Sequence, residues 1–401
     1  MNELYFAMDN VMGVVWISLG VAVVAALWLL LVYRRRLVRI PDACREQTAE
    51  ADSTSAETPT HPLDGLSVLV YVQDNAEGLA RVLADIWRQR TEGVTEALEV
   101  IVINDGGAED VKDVFNLNAS SHPELRMTFI PGEAHNLSRR KLGLSLGVKA
   151  ARHEHLLLLT SECRLESDRW MELMCRPFAQ GKRVVLGFAV INGLKGALNR
   201  FDEVATAASW LTAALGDAPY RGTGFNMGYT RTVFFDNKGF SGSLNLHNGD
   251  DDLFINDICR RGASAAVVLA PEARVTLDFH KPRKEFRNLR LSHIFTGRRL
   301  PKYSRVQMAL GTFMLWLWLA ATVVGLVFSI PNLLPGCAFL VLIPIVCVPL
   351  VITWRKVGAA LGVRLSAPML PWLMLVRCMR NFRWYLRSGT ASRRNYTWLQ
   401  H

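Results

Sequence analysis

The stretch Asn248-Gly249-Asp250-Asp251-Asp252-Leu253-Phe254 places three carboxylates side by side. Adjacent carboxylates repel one another, and a fold keeps such a run where a cation, an arginine or a catalytic task offsets the repulsion. One Asp in such a cluster can serve as a general base toward a hydroxyl nucleophile, an effect of about 10²- to 10⁴-fold when it lies within hydrogen-bond reach. The same acids also suit the start of a helix at Leu253, where free N–H groups and the helix dipole favour negative charge. The two readings are compatible. Two other acids follow apolar runs. Asp105, in Asn104-Asp105-Gly106-Gly107, can accept hydrogen bonds from a ligand, with glycine admitting a close backbone approach, although Asp-Gly after a strand is commonly just a turn. Glu162, in Thr160-Ser161-Glu162, offers oxygen to Mg²⁺ or Mn²⁺, or is a solvated acid at a strand end.

The elements that must position these acids read as α/β. Leu66 to Val72, Leu98 to Ile103, Arg126 to Ile130 and His155 to Thr160 are continuous apolar runs, and helical spacing over Gly78 to Arg88 and Ser138 to Ala151 separates them. Such strands, alternating with helices, predict a mainly parallel sheet covered on both faces. Ligands of open parallel sheets bind outside the carboxyl ends of the strands, which here are Asp74 and Asn75, Asn104 and Asp105, and Thr160 to Glu162.

Half of the 401 residues are apolar, and the excess sits at the ends. Val11 to Tyr33, Val306 to Ser329 and about Leu333 to Thr353 are each long enough to span a hydrocarbon core of roughly 30 Å. The first is preceded by Glu3 and Asp9 and followed by Arg34, Arg35 and Arg36, which suits an anchor better than a cleaved leader. Positive residues at the inner span ends place residues 34–305 in the cytoplasm, on an inner (plasma) membrane. The expected organisation is an anchor over 1–40, a flexible linker over 41–63 whose tether is Cys44 to Pro62, a catalytic-type domain over 64–300, a membrane hairpin over 301–356 that turns at Pro331 and Asn332, and a basic interfacial tail over 357–401. The formal charge of +10 does not indicate nucleic acid, because nine basic and no acidic residues follow Trp354, interleaved with Trp372, Trp384, Tyr385 and Trp398, as on a helix lying on anionic headgroups. Seven cysteines without a C-x-x-C pair, and His247, His280 and His293 without ligand spacing, exclude a readable zinc site or disulfide framework.

These strand ends resemble the nucleotide-sugar half of family 2 glycosyltransferases, the membrane-anchored kind related to cellulose and poly-N-acetylglucosamine synthases. The family's V-V-D-D-G-S reads here as Val102-Ile103-Asn104-Asp105-Gly106-Gly107, which makes Asn104 and Asp105 donor-binding. Its T-D-A-D-C aligns on Cys163 and places Thr160 and Glu162 at the two acidic positions, so that Glu162 alone is left as a metal ligand for Mg²⁺ or Mn²⁺. Its G-x-G-x-N-x-A-Y-R and following acidic cluster match Gly222 to Arg231 and Asp250 to Asp252. The resemblance implies a GT-A fold and an inverting transfer from a nucleotide sugar, with a UDP-sugar favoured as donor, Asp250 as base and Asp252 as second choice. Gly224, Asn226, Asp251, Arg290 and His293 fall on the acceptor or diphosphate side, and Lys141 near the nucleotide. The family's Q-x-x-R-W is missing; Arg290, His293, Arg298 and Arg299 stand in that stretch.

The implied acceptor is a lipid-linked or growing polysaccharide at the membrane face. Three spans are too few for a polymer channel within one chain, so a pore needs partner subunits or an oligomer. Thr160, Asn104 and the missing Gln-x-x-Arg-Trp leave a second reading open, a non-catalytic scaffold in an envelope polysaccharide assembly.

Overall fold

The computed structural model describes residues 2–53, 62–130, 138–244, 246–330 and 333–390. An N-terminal rod is formed by α1 (Asn2–Trp28), a π-helical turn over Leu29–Tyr33, and α2 (Arg34–Ser53). The α/β part follows as β1 (Leu66–Gln73), α3 (Ala76–Trp87), β2 (Leu98–Asp105), α4 (Glu109–Ala119), β3 (Leu125–Ile130), α5 (Arg139–Ala150), β4 (His155–Thr160), β5 (Cys163–Leu165) and α6 (Trp170–Ala179). It continues with β6 (Val184–Leu186), β7 (Ala189–Ile191), α7 (Ala197–Ala214), β8 (Met227–Thr230), α8 (Arg231–Asp236), α9 (Leu253–Arg260), β9 (Ala265–Val267), β10 (Val275–Leu277) and α10 (Pro282–Gly297). Three long helices close the chain: α11 (Lys302–Phe328), α12 (Leu333–Ala360) and α13 (Leu370–Thr390).

The main sheet has strand order β3-β2-β1-β4-β8-β6-β9, and β8 alone runs against its neighbours. Because β1 lies between β2 and β4, the chain winds outward from β1 and then returns, opening a crevice at the carboxyl ends of these three strands. A small sheet, β5-β10-β7, stands beside it. The α/β expectation holds, and the four runs are the four parallel strands, of which β1, β2 and β4 are buried on both faces as their Val, Leu and Ile content requires, while β3 at the sheet edge is half-buried.

Three helices are long and apolar enough to cross a membrane, within Val11–Ser53, Lys302–Phe328 and Leu334–Ala360. Apolar side chains such as Ile17, Val341 and Leu334 point outward from them, the arrangement expected where lipid is the solvent. The α11–α12 turn at Pro331 and Asn332 lies outside the described residues.

Two expectations need correction. The tether is helical as far as Ser53, and it is attached: the Gln47 amide donates to Val267 O at 2.8 Å and accepts from Leu269 N at 2.6 Å, while Ala51 O accepts from Arg169 at 2.8 Å. Polar composition suggested a linker, but Glu, Gln and Ala are good helix formers, and α2 gains its stability by docking. Residues 54–61 of the tether lie outside the described residues. The basic C-terminal helix is also partly turned inward. Arg377 and Arg380 of α13 pair with the fully buried Asp202 of α7, and Trp384 is buried, whereas Trp372 is exposed; Trp398 lies outside the described residues.

Candidate active site

At the carboxyl edge of β2, Asp105 is buried with both oxygens engaged. Arg139 Nε donates to Oδ1 at 2.6 Å, and the Tyr71 hydroxyl of β1 donates to Oδ2. Burial, together with the bond to this carboxylate, pushes the Tyr71 phenol up. The chain leaves the strand through Gly106 and Gly107 at φ 99° and 69°, successive left-handed conformations that side chains resist. Asn104 is inside the sheet instead; its amide donates to Ala108 O at 3.3 Å, and its Oδ1 has no hydrogen-bond partner among the described residues.

At the end of β4, Thr160 faces the core, 3.5 Å from the sulfur of Cys163, which donates onward to Phe225 O at 3.3 Å. Burial pushes the Cys163 thiol up to about 12. Thr160 therefore closes the strand and presents no oxygen to the crevice. Half-buried Glu162 does stand there, and its Oε1 accepts from Ser161 Oγ at 3.0 Å and Asn75 Nδ2 at 3.4 Å. No group of three His, Cys, Asp or Glu among the described residues stands close enough to hold a metal ion alone. A single carboxylate still suits a cation that takes most of its oxygens from a diphosphate and water.

The three consecutive aspartates have separate environments. Asp250 Oδ2 accepts from Arg140 Nε at 2.7 Å, and Arg140 also donates to Gly224 O at 2.9 Å and lies over the Tyr71 and Phe225 rings. Asp252 caps α9: its Oδ1 accepts from Leu253 N at 2.7 Å, and its Oδ2 accepts from Thr296 Oγ1 and from Arg221 at 3.3 Å. Asp251 lines a cleft of about 490 Å³ with Arg140, Asp250, Phe225, Phe279 and His293. Burial and neighbouring Asp250 push its carboxyl up to about 6. The His293 Nε2 lies 3.7 Å from Asp251 Oδ2, and neither ring nitrogen has a hydrogen-bond partner among the described residues. Burial and Arg221 hold this imidazole well below its usual range, so it is neutral.

Three residues assigned to the site by the resemblance are engaged in packing. Lys141 is fully buried, and its Nζ donates to Ser243 O, Ser243 Oγ, Leu246 O and Asn248 O at 2.6 to 3.2 Å, tying the loop before the acids to α5. Asn226 accepts from Trp170 Nε1 at 3.0 Å and donates to Phe188 O and Ala273 O at 2.9 Å, joining the two sheets. Arg290 pairs with Asp202 at 3.0 Å, alongside Arg377 and Arg380. Gly224 is where the resemblance put it, beside the acids: a Cβ there would lie 2.5 Å from Arg140 Nη2. The sequence reading passed over Arg139, Arg140 and Tyr71. A signal was present, since Arg139-Arg140-Lys141 opens a helix, where cations oppose the dipole unless acids from elsewhere meet them.

No protein-family model matches the chain, and no curated protein matches it by sequence. Among solved structures it is similar to the mannosyltransferase PcManGT from Pyrobaculum calidifontis, determined in complex with GDP-Man and Mn²⁺, with a TM-score of 0.55 and 15% identity over 92% of this chain and 99% of that one. The likeness establishes a shared GT-A type fold, over a length that exceeds the α/β part alone.

Proposed function

We propose that the protein is a membrane-anchored inverting glycosyltransferase that moves a sugar from a nucleoside diphosphate to a lipid-linked or polysaccharide acceptor at the cytoplasmic face. The observation that carries this reading is the division of labour among the aspartates. Asp250 is neutralised by Arg140 and Asp252 is committed to the α9 cap, which leaves Asp251 in the cleft with its carboxyl raised to about 6 and a neutral His293 beside it. Position in the family pattern favours Asp250 as base; the environments favour Asp251, because a base works best with a pKa near the working pH.

In the proposed reaction the acceptor hydroxyl oxygen attacks the anomeric carbon from the side opposite the diphosphate. Its proton passes to Asp251, and the bond from the anomeric carbon to the diphosphate oxygen breaks with its electron pair on the nucleoside diphosphate, inverting the configuration. Asp105 and the Gly106-Gly107 turn would receive the nucleoside, with Arg139 exchanging Asp105 for the incoming ligand. Glu162 would hold Mg²⁺ or Mn²⁺, and such an ion stabilises negative charge on the diphosphate. The shared fold supports the donor class. GDP-Man is the donor named for the similar mannosyltransferase, whereas the sequence reading favours UDP.

The test is calorimetric titration of the detergent-purified chain with UDP- and GDP-sugars, with and without Mn²⁺. Metal-dependent binding of one nucleotide sugar is expected. Folded protein that binds none of them would favour the scaffold reading, in which Arg139 and Tyr71 hold Asp105 permanently.

A further inference from the structure

A second cavity, of about 940 Å³, lies on the membrane side of α10, where the end of α1, the start of α11 and the helices α7 and α13 meet. One part of its wall is apolar, with Trp28, Met308, Phe313 and Trp316 between α1 and α11. The other carries Arg36, Arg39, Arg298 and Arg305, and no carboxylate among the described residues lines the cavity. None of these four forms an ion pair among the described residues, whereas Arg221, Arg290 and Arg377, also in the wall, are met from behind by Asp252 and Asp202.

Arginines at the inner end of a span follow from topology alone, and Arg39 and Arg305 are exposed as topology requires, while Arg36 and Arg298 are half-buried. Here Arg298 Nε and Arg221 Nε are buried without a hydrogen-bond partner among the described residues, and Arg221 is only 3% exposed. Buried guanidinium donors are costly to leave unmet, so the cavity is built for an anion. His293, which lines this cavity as well as the acid cleft, connects the two.

We propose that this cavity is the acceptor site and that the acceptor is a single-chain lipid joined through a diphosphate to a sugar. Its chain lies between α1 and α11, its diphosphate on Arg36, Arg39, Arg298 and Arg305, and a hydroxyl of its sugar reaches past His293 toward Asp251. Bilayer phosphodiesters carry one negative charge, while a diphosphate linking lipid to sugar, like a phosphate monoester, carries about 2, and four arginines without acids match the larger charge. The apolar end accepts the chain at the depth where a lipid presents it. The inference rests on the glycosyltransferase reading for the word acceptor, and its test does not.

The full chain is placed in nanodiscs of neutral lipid, and binding of a fluorescent long-chain prenyl monophosphate is measured without any nucleotide. Saturable binding is expected, displaced by unlabelled prenyl phosphate and not by the matching prenol, inorganic phosphate or phosphatidylglycerol. Arg36→Gln and Arg305→Gln should each weaken it about tenfold, with the thermal midpoint unchanged as the control for folding. Equal competition by prenol or by phosphatidylglycerol would overturn the proposal, as would affinity indifferent to both substitutions. Lipid-phosphate binding by a chain that binds no nucleotide sugar would uphold the site and sink the enzymatic reading; the converse would sink the site alone.

Discussion

Replacing Asp251 by Asn should stabilise the protein while removing its activity, and the size of the gain should depend on pH in a specified direction. Folded Asp251 titrates at about 6, against 3.8 for an unperturbed aspartate. Between those values the folded state keeps a proton that the unfolded chain has released, so stability falls as pH rises, and the full cost is reached above pH 6. That cost is about 3 kcal/mol. Asn has the same shape and no charge to bury beside Asp250, so at pH 7.5 Asp251→Asn should raise stability by up to this amount. At pH 5 the wild-type carboxyl is mostly protonated, and the advantage should shrink to about half. The assay is thermal unfolding of both proteins in one neutral detergent at the two pH values, paired with turnover. Loss of turnover should be about 10²- to 10⁴-fold, with donor binding retained, and the wild-type rate should fall as pH drops through 6. An Asn variant no more stable at pH 7.5 than at pH 5 relative to wild type, or one with near wild-type turnover, would refute the assignment of the charged, strained member of the cluster to Asp251.

Other substitutions test neighbouring parts of the site. Gly224→Ala puts a methyl 2.5 Å from Arg140 Nη2 and 3.3 Å from Asp250 Oδ2, so the guanidinium must leave its carboxylate; turnover should drop at least about tenfold with little change in melting. Asp202→Asn leaves Arg290, Arg377 and Arg380 without their shared buried counter-charge and should cost about 3–5 kcal/mol, read as a large loss of thermal midpoint. Lys141→Met removes donors to four oxygens around the 243–248 loop, and faster proteolysis within that loop should accompany a lower midpoint. Glu162→Gln should weaken the Mn²⁺ dependence of nucleotide-sugar binding while sparing lipid-phosphate binding in the second cavity.

Three of these parallel strands, β1, β2 and β4, were legible because a strand buried on both faces has to be largely apolar, as Leu66 to Val72 and His155 to Thr160 are. The spans were legible for a similar reason. The side-chain partners were not. Lys141 has the sequence context of a solvated helix lysine, and only the fold brings Ser243, Leu246 and Asn248 around its ammonium, more than a hundred residues away for all but local purposes. Asn226 sits inside a pattern that suggested an acceptor contact, yet its three bonds join Trp170, Phe188 and Ala273. In α2 the polar composition hid a docked helix, since the bonds of Gln47 go to a segment about 220 residues distant. Thr160 is the instructive departure: a neutral residue at an expected acidic position fits a side chain turned toward Cys163 and away from the crevice.

The arrangement of charge around α10 explains why these features belong together. On one side of the helix the cleft contains Asp250 and Asp251, and on the other the cavity contains arginines and, among the described residues, no acid. Left alone, each would be unfavourable: the acids repel one another, and so do the guanidiniums. Arg140 reaches into the acidic side, and Asp202 and Asp252 support the basic side from behind, so each region is only partly neutralised by its own chain. What remains is a carboxylate poised to take a proton and a set of cations poised to take an anion, with His293 in the wall of both. A neutral imidazole at that position separates the two potentials without adding to either. An His293→Lys substitution would therefore place a cation beside Asp251, lower its carboxyl toward the ordinary range and shift the acid limb of turnover to lower pH; an unmoved limb would show that the titrating group lies elsewhere.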